Sequence, residues 1–360
     1  MSERILIVAP SWVGDAILSE PLVALLREQF GNPAIDVLAP PWCGPVYTRM
    51  RGVGRVIANP IGHGRLDLAG RRALARSLRA SGAGAGYTRA YVLPNSWKSA
   101  LVPWLARIPR RTGYLGESRW GLLNDTRRLA RKAQPRLVDR FAALAVAANA
   151  PPPVAPPPVL VPDAANRAAA AQALGLELDR PVAILCPGAE YGPAKRWPAV
   201  HFAELARRLA ADGMQVWLIG SPNDQPDAGA VVAAADASSG PLRDLSGRTD
   251  LGTAIDLLSL ATVVVSNDSG LMHVAAALCK PLLALYGSSS PDHTPPLSLS
   301  SQPDLARIAR IDIACSPCFK RECPLGHFKC MNDLLPAQVL ADIDALCAIA
   351  GGSGKSEAGR

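Results

Sequence analysis

Aromatic residues are scarce in this chain: 7 Trp, 6 Tyr and 5 Phe among 360 residues, or 5%. Ala, Val and Leu carry most of the apolar content, which disfavours an all-β sandwich and favours helices layered on buried strands. No apolar run approaches the roughly 20 residues of a membrane-spanning helix. The opening MSERILIVAP lacks the charged n-region, apolar h-region and small-residue cleavage site of a secretory signal. The expectation is a cytoplasmic chain whose membrane role, if it has one, is peripheral. After the first apolar run, Pro10, Trp12 and Gly14 do not make the G-x-G-x-x-G fingerprint, so a dehydrogenase is disfavoured. Asp342 and Asp344 spell D-x-D, a metal-binding signature of sugar transferases. They fall two residues apart in a predicted helix and so point to different faces, and no catalytic divalent metal is expected.

What is present is ample apolar material, 49% of the residues, in a chain too long for one ordinary core. In residues 1–150, apolar runs at 4–9, 35–40, 55–60 and 90–95 read as strands, and 16–30, 66–81 and 98–107 have helical spacing. That alternation implies a parallel sheet with helices on both faces. Residues 151–163, PPPVAPPPVLVPD, hold seven prolines, which suit neither a helix nor a central strand. Residues 151–180 are therefore assigned to a stiff linker and domain entry. Alternation resumes over 181–335, with strands at 181–189, 215–220, 262–268 and 281–289 and helices at 200–211, 224–235, 253–260 and 271–279. Residues 336–350 form a last helix and 351–360 a disordered tail. The fold class is α/β, two doubly wound Rossmann-like domains facing a central cleft, with ligands at the carboxyl ends of the strands.

The net charge is +8, so an anionic partner is plausible. Much of the excess lies between Arg49 and Arg140, including Arg71, Arg72, Arg110, Arg111, Arg127 and Arg128. A solvated basic face would explain each of them singly. Of eight cysteines, Cys43, Cys186, Cys279 and Cys347 read as small buried hydrophobes. Cys315, Cys318, Cys323 and Cys330 are spaced C-x2-C-x4-C-x6-C. The first pair has metal-ligand spacing and four thiolates would complete a structural zinc site; reduced thiols or an iron–sulfur cluster are the other readings.

Three segments carry the chemistry. In APSWVGDAILSEP, Gly14 permits close approach and Asp15 opens the following helix at the carboxyl end of the first strand. Asp15 is either a helix-capping carboxylate or a catalytic base. In CPGAEYGPAKRWP, small residues expose backbone amides and Lys195 adds a compact cation, which suits a phosphate. In SNDSGLMHVAAAL, a strand stops and a helix begins at once. Ser269, Gly270 and Leu271 then present unpaired amides to an anion; His273 in the first turn is either a second donor or a satisfied core residue, and Asp268 either binds a sugar hydroxyl or holds the loop. Asp224, after the strand at 215–220, is either a helix cap or a ribose ligand.

Taken together, PSWVGDAILSEP, YVLPNSWKSALVP, CPGAEYGPAKRWP, NDSGLMHVAAAL and LYGSSSPDHTPPLS resemble the ADP-heptose:lipopolysaccharide heptosyltransferases, most closely those adding the second heptose. The likeness runs from Arg4 to about Ser300 and on through the last helix. It implies GT-B architecture and metal-independent, inverting transfer of L-glycero-D-manno-heptose from ADP-heptose to the first heptose of the Kdo2–lipid A-linked core. Asp15 would be the base. Lys195, Ser269, Gly270, Leu271 and His273 would hold the donor diphosphate, with Asp268 at the donor sugar and Asp224 at the ribose. Asn95, Lys98 and Arg119 would meet the acceptor, and the basic residues of the first domain would face the anionic core at the cytoplasmic side of the inner membrane. A transferase adding the first heptose, another GT-B nucleotide-sugar enzyme such as an epimerase, and a basic zinc-containing nucleic-acid-binding protein are the alternatives. The last leaves the strand-end motifs unexplained.

Overall fold

The computed structural model describes residues 3–62, 65–80, 86–130, 132–235, 242–299 and 302–353. The chain divides into two compact units, Met1–Pro158 and Val159–Arg360, so the division falls inside the proline run.

In the first unit, β1 (Arg4–Val8), β2 (Ala34–Ala39), β3 (Val53–Ala58), β4 (Arg89–Val92), β5 (Arg110–Tyr114) and β6 (Asp125–Arg127) form one sheet in the order β3-β2-β1-β4-β5-β6. In the second, β7 (Val182–Cys186), β8 (Gln215–Leu218), β9 (Leu242–Asp244), β10 (Val263–Asn267), β11 (Leu282–Tyr286) and β12 (Ala306–Arg310) form another, ordered β12-β11-β10-β7-β8-β9. Every pairing is parallel. Counted from each unit's own first strand, the two orders are the same, the doubly wound Rossmann arrangement. The strands VAILC, VVVSN and LLALY are buried at every position, as strands covered on both faces must be. The order reverses between β1 and β4 and between β7 and β10, which places a ligand crevice at the carboxyl ends of those strands in each unit.

The helix read over 16–30 is two helices, Val13–Leu18 and Glu20–Gln29. Pro21 has no amide to donate, and Ser19 fills the break by giving its hydroxyl to the Ala16 carbonyl at 2.6 Å. The helix read over 66–81 spans Leu68–Ala80, and Ser81 lies outside the described residues. Asp163, read as the last linker residue, instead caps the helix Ala164–Ala173, accepting from the amides of Ala165 and Asn166 at 3.0 Å. The last helix runs Pro336–Ser353, past the predicted end at 350, and the remainder of the predicted tail lies outside the described residues. Asp342 lies 3.9 Å from Arg307 and Asp344 is exposed.

The strands missed from the sequence are β5 (RRTGY), β6 (DTR), β9 (LRD) and β12 (ARIAR). They are polar or short and stand at or beside a sheet edge. Their conformation is imposed by the neighbouring strand's backbone rather than by their own hydrophobic pattern.

Candidate functional site

In the second unit, β7 ends at Cys186 and a rigid loop follows. Asn267, at the end of β10 and fully buried, donates its side-chain amide to the Pro187 carbonyl at 2.7 Å and accepts the Trp197 amide at 3.1 Å. One side chain thus clamps both ends of the Lys195 loop to β10. Trp197, also buried, donates its indole N–H to the Leu334 carbonyl at 2.8 Å and packs edge-on against Phe202. Two glycines in this loop are required by close approach. A Cβ on Gly188 would stand 2.1 Å from the Asp224 carboxyl carbon. Gly192 has φ +152° and faces the Arg321 carbonyl, 2.5 Å from where a Cβ would be.

Lys195 Nζ donates to Asp268 Oδ2 at 2.5 Å and stands 5.1 Å from the centre of the Tyr191 ring. Asp268 is 6% exposed, and the same oxygen accepts the Ser289 hydroxyl at 2.5 Å. Ser289, Asn267 and Tyr191 were not singled out from the sequence. Asn267 and Ser289 each adjoin a strand end in a quoted segment, a positional signal that could have found them. The helix Gly270–Ala277 begins directly after this carboxylate, and its N-cap Ser269 makes no side-chain capping bond. No side-chain cap occupies the first-turn amides of Gly270 and Leu271, the geometry from which helix starts bind anions.

His273 is buried, and burial pushes its imidazole down to about 4. It is neutral at physiological pH. It can donate one N–H but brings no positive charge, a property the sequence could not show because it depends on desolvation. The shift has a consequence for stability. A histidine whose folded pKa is depressed contributes fully above the ordinary 6.5, and the contribution is lost as pH falls towards about 4. Between pH 7 and pH 4 the wild type is expected to lose roughly 3 kcal/mol that a His273→Gln variant does not lose. Urea unfolding of both proteins across that range measures the difference, and parallel curves would refute it.

Asp224 accepts the Ser221 amide and hydroxyl, both at 2.8 Å, in a capping box that opens the 3-10 turn Pro222–Asp224; as N-cap of the helix Gln225–Ala234 that follows, it makes no side-chain capping bond. The carboxylate thus serves the turn rather than the helix, and it lies against Gly188, at the edge of the Lys195 loop.

In the first unit, Asp15 sits in the first turn of Val13–Leu18, whose N-cap is Trp12, with no side-chain capping bond. The carboxyl receives no hydrogen bond from another described residue, so capping is not its task. Burial raises its pKa to about 6, although a helix N-terminus would by itself favour the charged form. Cys43 lies beside it, its thiol pushed up to about 12 by burial and then by the Asp15 charge. A carboxylate poised near neutrality, desolvated and without a partner, has the properties of a general base.

The acceptor candidates divide. Asn95 is exposed, and Lys98, in the helix Trp97–Leu105, is partly so. Arg119 is fully buried: it donates to the Pro94 carbonyl at 2.6 Å, to the Tyr114 carbonyl, and to Asn95 Oδ1 at 3.3 Å. Arg119 is therefore no direct acceptor contact; it fixes the Asn95 loop. Of the arginines expected on a basic face, Arg72, Arg110 and Arg128 are exposed, and several of the others are engaged internally. Arg71 bonds the carbonyls of Arg65, Leu66 and Lys98, Arg111 those of Ile108 and Leu122, and Arg110 and Arg127 share Asp125. Loop carbonyls without a ladder partner need donors, and Arg71, Arg111 and Arg127 supply them.

Cys315, Cys318, Cys323 and Cys330 line one small cavity together with His327. All four thiols are free. Cys323 Sγ accepts the Phe328 amide at 3.4 Å, and Cys315 Sγ lies 3.9 Å from His327 Nε2. The donor set is soft, as zinc prefers, yet among the described residues no three His, Cys, Asp or Glu side chains converge on one metal-holding centre. The segment braces the Lys195 loop: Ala194 donates to the Arg321 carbonyl at 3.0 Å, and Tyr191 Oη to the Phe319 carbonyl at 2.9 Å.

Residues 71–329 match the model of glycosyltransferase family 9 (heptosyltransferase). The chain is 44% identical over 351 residues to lipopolysaccharide heptosyltransferase 2 of Escherichia coli K12, covering 95% of this chain and 98% of that protein. It is 42% identical over 358 residues to lipooligosaccharide heptosyltransferase 2 of Haemophilus influenzae, covering 96% and 99%. The solved structure of the E. coli ADP-heptose LPS heptosyltransferase II superposes with a TM-score of 0.83 at 42% identity, over 96% of this chain and 98% of that one.

Proposed function

The chain belongs to glycosyltransferase family 9, the heptosyltransferases, and from that premise we propose that it transfers L-glycero-D-manno-heptose from ADP-heptose to the first heptose of the lipopolysaccharide inner core. The observation that carries the reading is the near-full-length identity to heptosyltransferases 2 on both chains. Support from the site comes from Asp15, a carboxyl with no hydrogen-bond partner among the described residues in the helix that follows β1, and from the Lys195 loop with the Gly270 helix start after β7 and β10.

In the reaction, an acceptor hydroxyl oxygen attacks the anomeric carbon from the face opposite the diphosphate. The new glycosidic C–O bond forms as the bond to the β-phosphate oxygen breaks, inverting that carbon. Asp15 takes the hydroxyl proton. ADP departs with the bonding electron pair, and its growing charge is met by Lys195, the amides of Gly270 and Leu271 and a neutral N–H of His273. Asp268 and Ser289 hold Lys195 in place, and Asp268 can turn a free oxygen to a donor sugar hydroxyl. Asp224 is assigned to the ribose, Asn95 and Lys98 to the acceptor. These roles leave no step to a metal; Cys315, Cys318, Cys323 and Cys330 would hold a structural zinc only once drawn together, since among the described residues they do not converge on one centre.

Among the described residues, no helix is long and apolar enough to cross a membrane. Because the acceptor is lipid-linked, the reading places the chain in the cytoplasm with peripheral contact at the inner face of the membrane. A sequence pI of about 9.2 suits that anionic surface.

The test is ADP release with ADP-heptose and a one-heptose core acceptor in EDTA, beside a heptose-free acceptor and a UDP-sugar. Release is expected only from the first combination. Use of the heptose-free acceptor would make this the enzyme adding the first heptose, and dependence on added metal would overturn the mechanism. Elemental analysis of the purified chain should find zinc, and its loss on Cys318→Ser should follow. A zinc-free, fully active preparation would refute the zinc assignment.

A further inference from the structure

The seven tryptophans are distributed unevenly. Trp197 and Trp217 in the second unit are buried, whereas Trp12, Trp42, Trp97, Trp104 and Trp120 in the first are 54%, 50%, 36%, 45% and 71% exposed. A chain with so few aromatics has left its largest side chains in water, forgoing the burial that makes them useful in a core.

Four of the five share one edge. Trp42 follows β2, Trp12 follows β1, Trp97 follows β4 and Trp120 follows β5, and these four strands are consecutive neighbours in the sheet. Because the sheet is parallel, all four loops leave its carboxyl edge. Four strands at ~4.8 Å spacing make a row of about 14 Å. The loops are tied to one another: Trp42 donates its indole N–H to the Ser11 carbonyl at 2.8 Å, and the Trp97 amide donates to Glu117 Oε2 at 3.2 Å. Arg119 joins the loops after β4 and β5 through Asn95. The backbone under the row is therefore fixed before any ligand arrives. Asp15 stands three residues beyond Trp12, in the first turn of the helix that follows β1.

Sugar rings carry C–H faces of partial positive charge, which pack against the negative face of an aromatic ring, and indole offers the largest such face. An anionic lipid surface fits less well, because the row includes the exposed carboxylate of Glu117 and the Asp15 carboxyl. We propose that Trp42, Trp12, Trp97 and Trp120 form the acceptor platform, on which successive sugars of the core oligosaccharide stack so that the reactive hydroxyl lies at Asp15. The inference rests on the heptosyltransferase reading and adds to it the surface that recognises a chain of sugars rather than one.

The test uses the full chain and a lipid-free, deacylated one-heptose core oligosaccharide. Trp42→Ala and Trp120→Ala are each expected to raise the acceptor KM roughly three- to tenfold. The double variant should raise it more, while the donor KM and ADP affinity stay unchanged. Trp104→Ala, exposed but off the row, is the control and should match the wild type. Unchanged ADP affinity also establishes that the second unit of each variant is folded. Wild-type transfer with an unchanged acceptor KM in the double variant overturns the platform alone. Loss of vesicle binding by that variant, with an unchanged KM for the lipid-free acceptor, also overturns it and makes the row a bilayer contact. Absence of transfer by the wild type overturns the heptosyltransferase reading and the platform with it.

Discussion

Replacing Asp15 by Asn lowers kcat by roughly 10²- to 10⁴-fold, the usual worth of a positioned general base, and leaves ADP affinity unchanged. Asn keeps the shape of the side chain but cannot take the acceptor proton. The residues proposed to bind the donor lie in the other unit. Two further results separate this role from a structural one. In the wild type, kcat/KM should rise with pH through about 6, where the carboxyl ionises, and the variant should lose that limb. The second result is a gain in stability. The carboxyl titrates at an ordinary 3.8 in the unfolded chain and at about 6 in the folded one. The protonated form is thus favoured by folding, and the fold is penalised as pH rises through that window. At pH 8 Asp15→Asn should be the more stable protein by up to roughly 3 kcal/mol, reduced by whatever water still screens the partly exposed carboxyl; below pH 4 the two should match. Turnover near the wild-type rate would remove Asp15 from the mechanism. Equal stability at pH 8 would show that the carboxyl is not desolvated.

Lys195→Ala should reduce kcat/KM by roughly 10²- to 10³-fold, the scale of losing one preorganised charge at a developing anion. It should also destabilise the second unit by several kcal/mol. Asp268, 6% exposed, would be left with Ser289 alone, and breaking a buried ion pair from one side is costly. The two effects can be separated. In the double variant Lys195→Ala/Asp268→Asn no buried charge is stranded, so the unfolding midpoint should return most of the way while activity does not. Lys195→Arg should not restore turnover: a planar fork cannot replace a compact ammonium seated between the Tyr191 face and one carboxylate oxygen. Calorimetric titration with ADP and urea unfolding read the two effects independently. A double variant that recovered transfer would show that Lys195 serves the fold rather than the donor.

The order and kind of the central elements were legible from residues alone. β1, β7, β10 and β11 are unbroken apolar runs, and a run of that type is buried on both faces wherever it goes. The seven prolines announced the division of the chain because no regular element can absorb them. The proposed diphosphate site has a local basis of a related kind: at SNDSGL the strand ends and the helix begins without a spacer, so helix amides lie at the strand end whatever surrounds them. Asp15, Lys195 and Asp268 could be picked out as candidates because their positions in the chain put them in the segments that follow strand ends.

Features that depend on distant neighbours were not legible. Arg119 has the composition of an acceptor contact, but only the folded loops show its guanidinium enclosed by the Pro94 and Tyr114 carbonyls. The edge strands β6, β9 and β12 have no pattern of their own and borrow their form from a partner. Asn267 became a clamp, Ser289 a second donor to Asp268, and His273 a neutral group once packing removed water from them. The row of tryptophans lies at residues 12, 42, 97 and 120, far apart in the chain and adjacent only because the sheet order sets β2, β1, β4 and β5 side by side. Periodicity and strand-end position are local, so the sequence carries them unaided. Desolvation, hydrogen-bond partnership and lateral strand order are relations between remote segments, and only the tertiary structure decides them.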